Sequence, residues 1–263
     1  MQKRFIALVA TLLILLSCWV LRDYFNLPVV TPASFGLAES TTLSHHEFTS
    51  QENSDLSKAD IRLLLIGNSH THSQDLPKRI VKMVEFVNPG KKVAARTIAV
   101  GFLDDATEDP KTQEVLKSFA WNAVILQAQK ISSSGRTTYS TEKGIELAKQ
   151  AKELGLPVFF FAEWGLKGTA DSTERTHKIY AEMAEASGAT LIPVGLSWEK
   201  VFQQFPEVPL HDFDGNHQSS LGADLTALVL ASYVAKQPFQ KWSDYVPTTA
   251  SPEQWRIFLL SSP

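Results

Sequence analysis

The chain has 263 residues, with 25 basic against 28 acidic side chains and a net charge of −3 at pH 7 when the histidines are neutral. This near balance gives no electrostatic reason to expect nucleic-acid binding. The hydrophobic fraction of 44% is enough for a sizeable core, and the length fits one domain with an N-terminal extension.

Residues 1–21 are typical of a signal peptide or an N-terminal membrane anchor. The chain starts with the basic MQKR, and the 17 residues of Phe5–Leu21 carry no charge. A run of this length is at the low end for spanning a bilayer, so both alternatives stay open. We expect an exported protein of the periplasm or cell envelope that is tethered to the membrane by this segment.

The only cysteine of the chain is Cys18, in Leu15-Leu16-Ser17-Cys18. This tetrapeptide resembles a bacterial lipobox, in which the cysteine is lipidated and becomes the mature N-terminus. The alternative is a cysteine at home in an apolar helix. In both cases the exported part has neither a disulfide nor a thiol nucleophile.

Residues 22–58 are expected to form a flexible linker. Pro28 and Pro32 fall here, the stretch is rich in Ser, Thr and Glu, and it has no clear periodicity. The pair His45-His46 lies in this segment, and we interpret it as a solvated pair rather than a metal site.

From residue 61 onward, short apolar runs alternate with stretches of helical spacing. Continuous apolar strands separated by helices are typical of a parallel sheet covered on both faces. The pattern predicts an α/β fold, a three-layer α/β/α sandwich around a five-stranded parallel flavodoxin-like sheet. The predicted strands are Ile61–Ile66, Val93–Val100, Ala123–Leu126, Val158–Phe161 and Leu191–Val194. The predicted helices are Leu76–Val87, Lys111–Phe119, Thr141–Leu154, Ser172–Ser187, Trp198–Phe205, Ser220–Ala235 and, in the tail, Ser251–Leu260.

These elements place the folded domain at residues 59–240 and a C-terminal extension at residues 241–263. In an open parallel sheet, ligands bind outside the carboxyl ends of the strands. Several polar or glycine positions follow predicted strands, and all are therefore expected on one edge of the sheet. They are Ser69, Gly101, Gln127, Glu163-Trp164 and the loop Asp214–His217.

Ser69 and His217 carry the chemistry of a serine hydrolase. A serine hydroxyl is a poor nucleophile until a base takes its proton, and a histidine base works better when a carboxylate orients it. Asp214 precedes His217 by three residues and is the preferred partner, with Asp212 as the rival. The strand–turn–helix around Ser69 would supply backbone N–H groups for a developing oxyanion.

These blocks resemble the SGNH (GDSL-type) hydrolases. Gly67-Asn68-Ser69 stands at the nucleophile block, Gly101 at the glycine after strand two, Gln127 at the oxyanion-hole asparagine, and Asp214-Gly215-Asn216-His217 at the Asp-x-x-His block. The similarity spans residues 61 to about 235. Asn68 and Gln127 depart from the usual Asp and Asn, as in an uncharacterised branch of the family with glutamine at this point.

The resemblance implies a serine esterase that acts through an acyl-enzyme and needs no metal or organic cofactor. Ser69, His217 and Asp214 would be catalytic, and the oxyanion hole would use the N–H groups of Ser69 and Gly101 with the Gln127 side chain. The family acts on acyl esters of sugars, lipids and small alcohols. Export, and a tryptophan at the sheet edge, favour O-acetyl groups on a polysaccharide.

Two other functions stay open on the sequence. His70-Thr71-His72 forms an H-x-H unit, which with the Asp214–His217 loop would make a metal-dependent hydrolase. A non-catalytic carbohydrate-binding protein on the same fold is the second alternative. Glu163 and Trp164 would contact a sugar ring by hydrogen bonding and stacking, or would simply pack. His70 and His72 are expected at the pocket mouth or on the surface.

Overall fold

A computed structural model describes residues 50–128, 131–132 and 137–263. Its five strands form one sheet in the order β2-β1-β3-β4-β5, and every neighbouring pair is parallel. This is a doubly wound order. Strands are added toward one edge of the sheet up to β2 and toward the other edge from β3 onward, and in such sheets ligands bind beyond the carboxyl ends of β1 and β3. The strands are β1 (Ile61–Gly67), β2 (Val93–Ala99), β3 (Ala123–Leu126), β4 (Val158–Phe161) and β5 (Thr190–Ile192).

Helices cover both faces of the sheet, which confirms the predicted three-layer α/β/α fold. The helices are α1 (Ser50–Lys58), α2 (Ser69–His72), α3 (Leu76–Val87), α4 (Leu103–Glu108), α5 (Pro110–Ser118), α6 (Glu142–Glu153), α7 (Ser172–Ser187), α8 (Val194–Gln204), α9 (Ser220–Ala235) and α10 (Pro252–Leu260). Two 3₁₀ turns lie at Ser73–Asp75 and Phe239–Trp242.

The core consists of two apolar clusters, one on each face of the sheet. Successive side chains of a strand point to opposite faces, so Leu63 and Leu65 join one cluster while Leu64 and Ile66 join the other. The first cluster also takes in α3 and α9, and the second takes in α6. Both faces of β1 are therefore buried, which explains its uninterrupted apolar sequence.

Two predicted domain boundaries differ from the structure, the end of the linker and the start of the C-terminal extension. Part of the segment assigned to a linker is folded, because α1 occupies Ser50–Lys58 and its Leu56 is buried in the second cluster. The segment assigned to a C-terminal extension is an integral part of the domain. Trp242, Trp255 and Phe258 belong to the first cluster, and Trp255 Nε1 donates to the Trp242 carbonyl oxygen at 2.8 Å.

The predictions for residues 1–21, for Cys18, for residues 22–49 and for His45-His46 lie outside the described residues. In the part of the chain that the structure describes, none of the helices is both long and apolar enough to cross a membrane.

A buried ion pair ties α3 to α9 and to the C-terminal segment. The Arg79 guanidinium donates to the Asp224 carboxylate, and both side chains are almost wholly buried. Arg79 also donates to the carbonyl oxygen of Gln74 (2.8 Å), which follows α2. The other Asp224 oxygen accepts the N–H groups of Thr249 (2.7 Å) and Ala250 (2.8 Å). Each charge is thus matched by several partners, as a buried charge requires.

Candidate active site

Ser69 sits in a tight turn at the carboxyl end of β1. Asn68 is the N-cap of α2, and its side-chain oxygen accepts the N–H of His70 at 3.1 Å. Gly67 is needed at the turn because a Cβ there would collide with the Thr71 hydroxyl and the Gln127 carbonyl oxygen. The sequence Gly-Asn-Ser thus brings the chain from the buried strand directly to a partly exposed serine.

A chain of two hydrogen bonds links Ser69, His217 and Asp214. Ser69 Oγ lies 2.7 Å from His217 Nε2, and His217 Nδ1 lies 2.5 Å from Asp214 Oδ2. Ser69 lies directly after β1, whereas Asp214 and His217 lie in the loop before α9. In this geometry the imidazole can take the serine proton while the carboxylate holds the ring in position.

The loop itself fixes the Asp214 carboxylate. Its Oδ1 accepts the backbone N–H groups of Asn216 and His217, both at 2.9 Å. The pKa of Asp214 is held well below its ordinary value, first by the hydrogen bond with His217 and then by these two N–H groups. A carboxylate bound in this way stays ionised at neutral pH.

Asp212, the rival partner, has a different role in the loop. Its Oδ1 accepts the N–H of Phe213 (2.8 Å), and its own N–H donates to the His217 carbonyl (2.8 Å). Gly215 completes the turn with a φ of 69° and donates to the Asp212 carbonyl oxygen (3.0 Å). Asp212 therefore closes the loop that holds Asp214 against the imidazole. Phe213, next to it in this loop, is 99% exposed.

Two backbone N–H groups lie near the serine and can receive a developing oxyanion. Val100 donates to the Gly67 carbonyl (3.0 Å), so Gly101 is held beside the turn that carries Ser69. Within the described residues, the N–H groups of Ser69 and Gly101 donate to no protein acceptor. An acyl-transfer site requires preorganised donors for the oxyanion, and these two N–H groups are the candidates for that role.

Gln127 differs from the expectation that its side chain donates into the oxyanion hole. The side chain is fully buried beneath the turn, where its Oε1 accepts the Thr71 hydroxyl (2.5 Å) and the Asn68 N–H (3.3 Å). Its Nε2 is buried and has no hydrogen-bond partner among the described residues. Glutamine is one methylene longer than asparagine, and here it folds back under Gly67 and supports the nucleophile turn from below.

His70 is buried, with only 3% of its surface exposed, whereas a pocket-mouth or surface position was expected. Its ring lies 5.2 Å from the His217 ring and 5.1 Å from the Trp164 ring, measured between centroids. Burial, and secondarily the neighbouring His217, lowers the pKa of His70 to about 4, so the ring is neutral at pH 7. The other member of the H-x-H unit, His72, is exposed, as expected.

Trp164 packs inside the domain and is not available to stack on a sugar. Its ring lies flat against Trp198, with centroids 4.0 Å apart and planes 4° from parallel, and only 4% of its surface is exposed. Its Nε1 donates to the Asn216 carbonyl oxygen at 2.9 Å. Of the two roles left open for Trp164, the structure therefore shows packing.

Glu163 is also buried, at 3% exposure, and its carboxylate lies near the Tyr180 hydroxyl. Burial first, and this carboxylate second, raise the pKa of Tyr180. Tyr180 in turn donates to the carbonyl oxygen of Ala128 (2.5 Å), just beyond β3. Glu163 and Trp164 border a cavity of about 30 Å³ that also reaches His70 and Asn216.

Across residues 50–128, 131–132 and 137–263, no group of three or more His, Cys, Asp or Glu side chains is arranged to hold a metal ion. Both ring nitrogens of His70 face protein oxygens, those of Asn68 and Asn216, each at 3.2 Å. The H-x-H unit is thus not arranged as a pair of ligands.

Comparison with known proteins identifies similar solved structures. No family model matches the chain, and no curated protein matches it either. An inferred SGNH hydrolase from Slackia heliotrinireducens is 25% identical, with 65% of this chain and 97% of that chain covered and a TM-score of 0.54. A DUF4886 family protein from Bacteroides uniformis is 13% identical, with coverage of 76% and 92% and a TM-score of 0.60.

A catalytic mutant of an acetylxylan esterase from Geobacillus stearothermophilus is also similar, at 13% identity. The similar region covers 69% of this chain and 96% of that chain, with a TM-score of 0.53. The likenesses at 13% show a shared fold and nothing finer. The structure from Slackia heliotrinireducens agrees with the resemblance that the four sequence blocks carry.

Proposed function

We propose that this chain is a serine ester hydrolase of the SGNH type with Ser69 as the nucleophile, because its fold is similar to that of an SGNH hydrolase. One observation carries the proposal, the hydrogen-bonded chain from Ser69 Oγ through His217 to Asp214. The esterases among the structural neighbours support the reaction class.

In the proposed reaction, Ser69 Oγ attacks the ester carbonyl carbon while its proton passes to His217 Nε2. The carbonyl oxygen becomes an oxyanion that accepts the N–H groups of Ser69 and Gly101. The tetrahedral intermediate then expels the alcohol, which leaves with the proton from His217 and gives an acyl-enzyme on Ser69. Asp214 holds the imidazole in the correct orientation throughout and stabilises its charged form.

Deacylation repeats these steps with water. His217 takes a proton from water as the oxygen attacks the acyl carbon, and the bond to Ser69 Oγ breaks as His217 returns the proton to it. The products are a carboxylic acid and the free enzyme. This cycle involves only protons and acyl groups.

We propose short acyl groups, including O-acetyl, as the substrates. Two of the structural neighbours are described as acetylxylan or acetyl xylan esterases. The ratio of kcat/KM for p-nitrophenyl acetate to that for the octanoate tests this, and a preference for octanoate would contradict it.

A fluorophosphonate probe tests the proposed nucleophile without knowledge of the natural substrate. The full chain should be labelled at Ser69, identified by mass spectrometry of the modified peptide, and Ser69→Ala should not be labelled. A folded wild-type protein that takes no label, or a Ser69→Ala variant labelled equally well, would overturn the proposal.

We further propose that the protein is exported and tethered by residues 1–21, on the strength of the basic start and the uncharged run Phe5–Leu21. Mass spectrometry of the mature N-terminus distinguishes cleavage, retention and lipidation at Cys18. If the residue is lipidated, globomycin should block processing. Recovery of the full unmodified chain from the cytoplasm would contradict export.

A further inference from the structure

His70 connects the turn that carries Ser69 with the loop that carries His217. On one side, its backbone N–H donates to the Asn68 side chain, and its Nδ1 lies 3.2 Å from the same oxygen. On the other side, its Nε2 lies 3.2 Å from the carbonyl oxygen of Asn216, the residue directly before His217. These two segments are 146 residues apart in sequence, and the imidazole spans them in a single step.

The Asn216 carbonyl receives a second donor from the packed interior. Trp164 Nε1 donates to it at 2.9 Å while the Trp164 ring is fixed against Trp198. A carbonyl oxygen has two lone pairs, so both donors can be accommodated. The peptide group before His217 is therefore held by two hydrogen-bond donors, Trp164 Nε1 and His70 Nε2.

The ring of His70 also supports the ring of His217 directly. The two imidazoles are in contact, with centroids 5.2 Å apart and planes inclined by 31°. His217 can rotate away from Ser69 only where space allows, and His70 occupies the space on this side.

We propose that His70 is a positioning residue, which through the Asn216 carbonyl and by ring contact holds His217 in hydrogen-bonding reach of Ser69. The proposal rests on the proposed function and adds a residue to it. His70 touches neither the reacting serine oxygen nor the attacked carbonyl, so its effect passes through His217. Its tautomer in this role carries the proton on Nε2, so Nδ1 donates nothing to the Asn68 oxygen, and the link to the serine turn is the backbone N–H of His70.

A neutral ring suits this position for an electrostatic reason. His217 becomes positively charged during the proposed reaction, and a second charge on the adjacent ring would oppose that step. The charged or titratable groups that face His70 are His217, Asp214 and His211. Burial, His217 and His211 all lower the pKa of His70, and together they outweigh Asp214 and the Asn216 carbonyl, which raise it. His70 can thus hold the loop without disfavouring the imidazolium.

Three substitutions at this position separate the interactions. His70→Gln can still donate to the Asn216 carbonyl from its side-chain amide. His70→Asn is too short to reach that carbonyl but keeps a polar group near Asn68. His70→Phe keeps an aromatic ring against His217 and loses the Nε2 donor to the Asn216 carbonyl. His177 on α7, outside the candidate site, gives the matched control, His177→Phe.

The measurements are kcat and KM for p-nitrophenyl acetate and the rate of labelling by the fluorophosphonate probe. For His70→Phe and His70→Asn, kcat and the labelling rate should fall about tenfold or more, since small displacements of a reacting group have effects of this size. KM should change less than about twofold, because the substrate contacts remain. His70→Gln should recover most of the loss, and His177→Phe should match the wild type.

Thermal unfolding of each variant shows whether the fold is retained. If His70→Phe is folded and its kcat equals that of the wild type, or if His70→Gln is as slow as His70→Phe, the positioning role is wrong. The esterase proposal stands or falls separately, since it depends on labelling of the wild type and its loss in Ser69→Ala.

Discussion

Acidification should destabilise this protein more than it destabilises a His70→Gln variant, because His70 is buried without charge. Burial lowers the pKa of His70 in the folded state from 6.5 to about 4. In the unfolded chain, the same imidazole takes up its proton around pH 6.5. Proton uptake therefore favours the unfolded state as the pH falls from about 6.5 toward 4, whereas above about pH 7 the group has no effect on stability.

The size of the effect follows from the difference between the two pKa values. A shift from 6.5 to about 4 corresponds to roughly 3 kcal/mol of unfolding free energy once both states are protonated, with most of it lost by about pH 4.5. Asp214 affects the unfolding free energy in a different pH range. Its folded-state pKa is depressed, so its contribution is present above about pH 4 and is lost only at lower pH.

Urea unfolding of the wild type and of His70→Gln at about pH 7.5 and about pH 4.5 measures the difference. The wild type should lose roughly 2–3 kcal/mol more than the variant over this range. Three other histidines have pKa values lowered by burial, and they titrate in both proteins and cancel in the comparison; they are His72, His177 and His211. Equal losses in the two proteins would refute the reasoning and would mean that His70 is accessible to water and protons.

Four further outcomes are expected. Asp214→Asn should lower kcat by roughly 10²- to 10⁴-fold, because the imidazole loses its orienting carboxylate, whereas Asp212→Asn should change kcat far less; equal losses would contradict the assignment. Asp224→Asn should cost about 3–5 kcal/mol of unfolding free energy, because it leaves the Arg79 charge buried, and a urea titration that shows no loss would disprove the buried pair. Gln127→Met should lower kcat by less than the 10²- to 10³-fold typical of a lost oxyanion donor, and a larger fall in a stable variant would restore Gln127 to that role. Esterase activity should survive EDTA, and its disappearance would favour the metal-dependent alternative.

The regular elements were the most predictable part of the fold. Buried parallel strands require continuous apolar runs, so β1, β3 and β4 were predicted to within one residue of their observed ends. The last strand was misplaced. It ends at Ile192 because Pro193 has no N–H for the ladder, and Val194 already begins α8.

The candidate site was predictable where local sequence specifies it. The glycine before Ser69 and the Asp214–His217 spacing follow from turn geometry and from the reach of a carboxylate across one loop. The burial of Trp164 was not predictable, because it depends on Trp198, 34 positions along the chain, lying flat against its ring. The same holds for His70, whose contacts come from a loop 146 positions away, so that its sequence context indicated only an H-x-H unit.

The separation between the serine and its base also has a consequence for biosynthesis. Ser69 and His217 are 148 positions apart, which at usual rates of translation is an interval of roughly 7–30 s. During that interval the hydroxyl emerges from the ribosome before His217, its proposed base, has been synthesised. A nascent chain, or one truncated before α9, should therefore have an ordinary, unreactive serine. The time at which Ser69 becomes reactive toward a fluorophosphonate therefore reports when the Asp214–His217 loop has folded against the serine. Labelling with this probe can be used to follow folding.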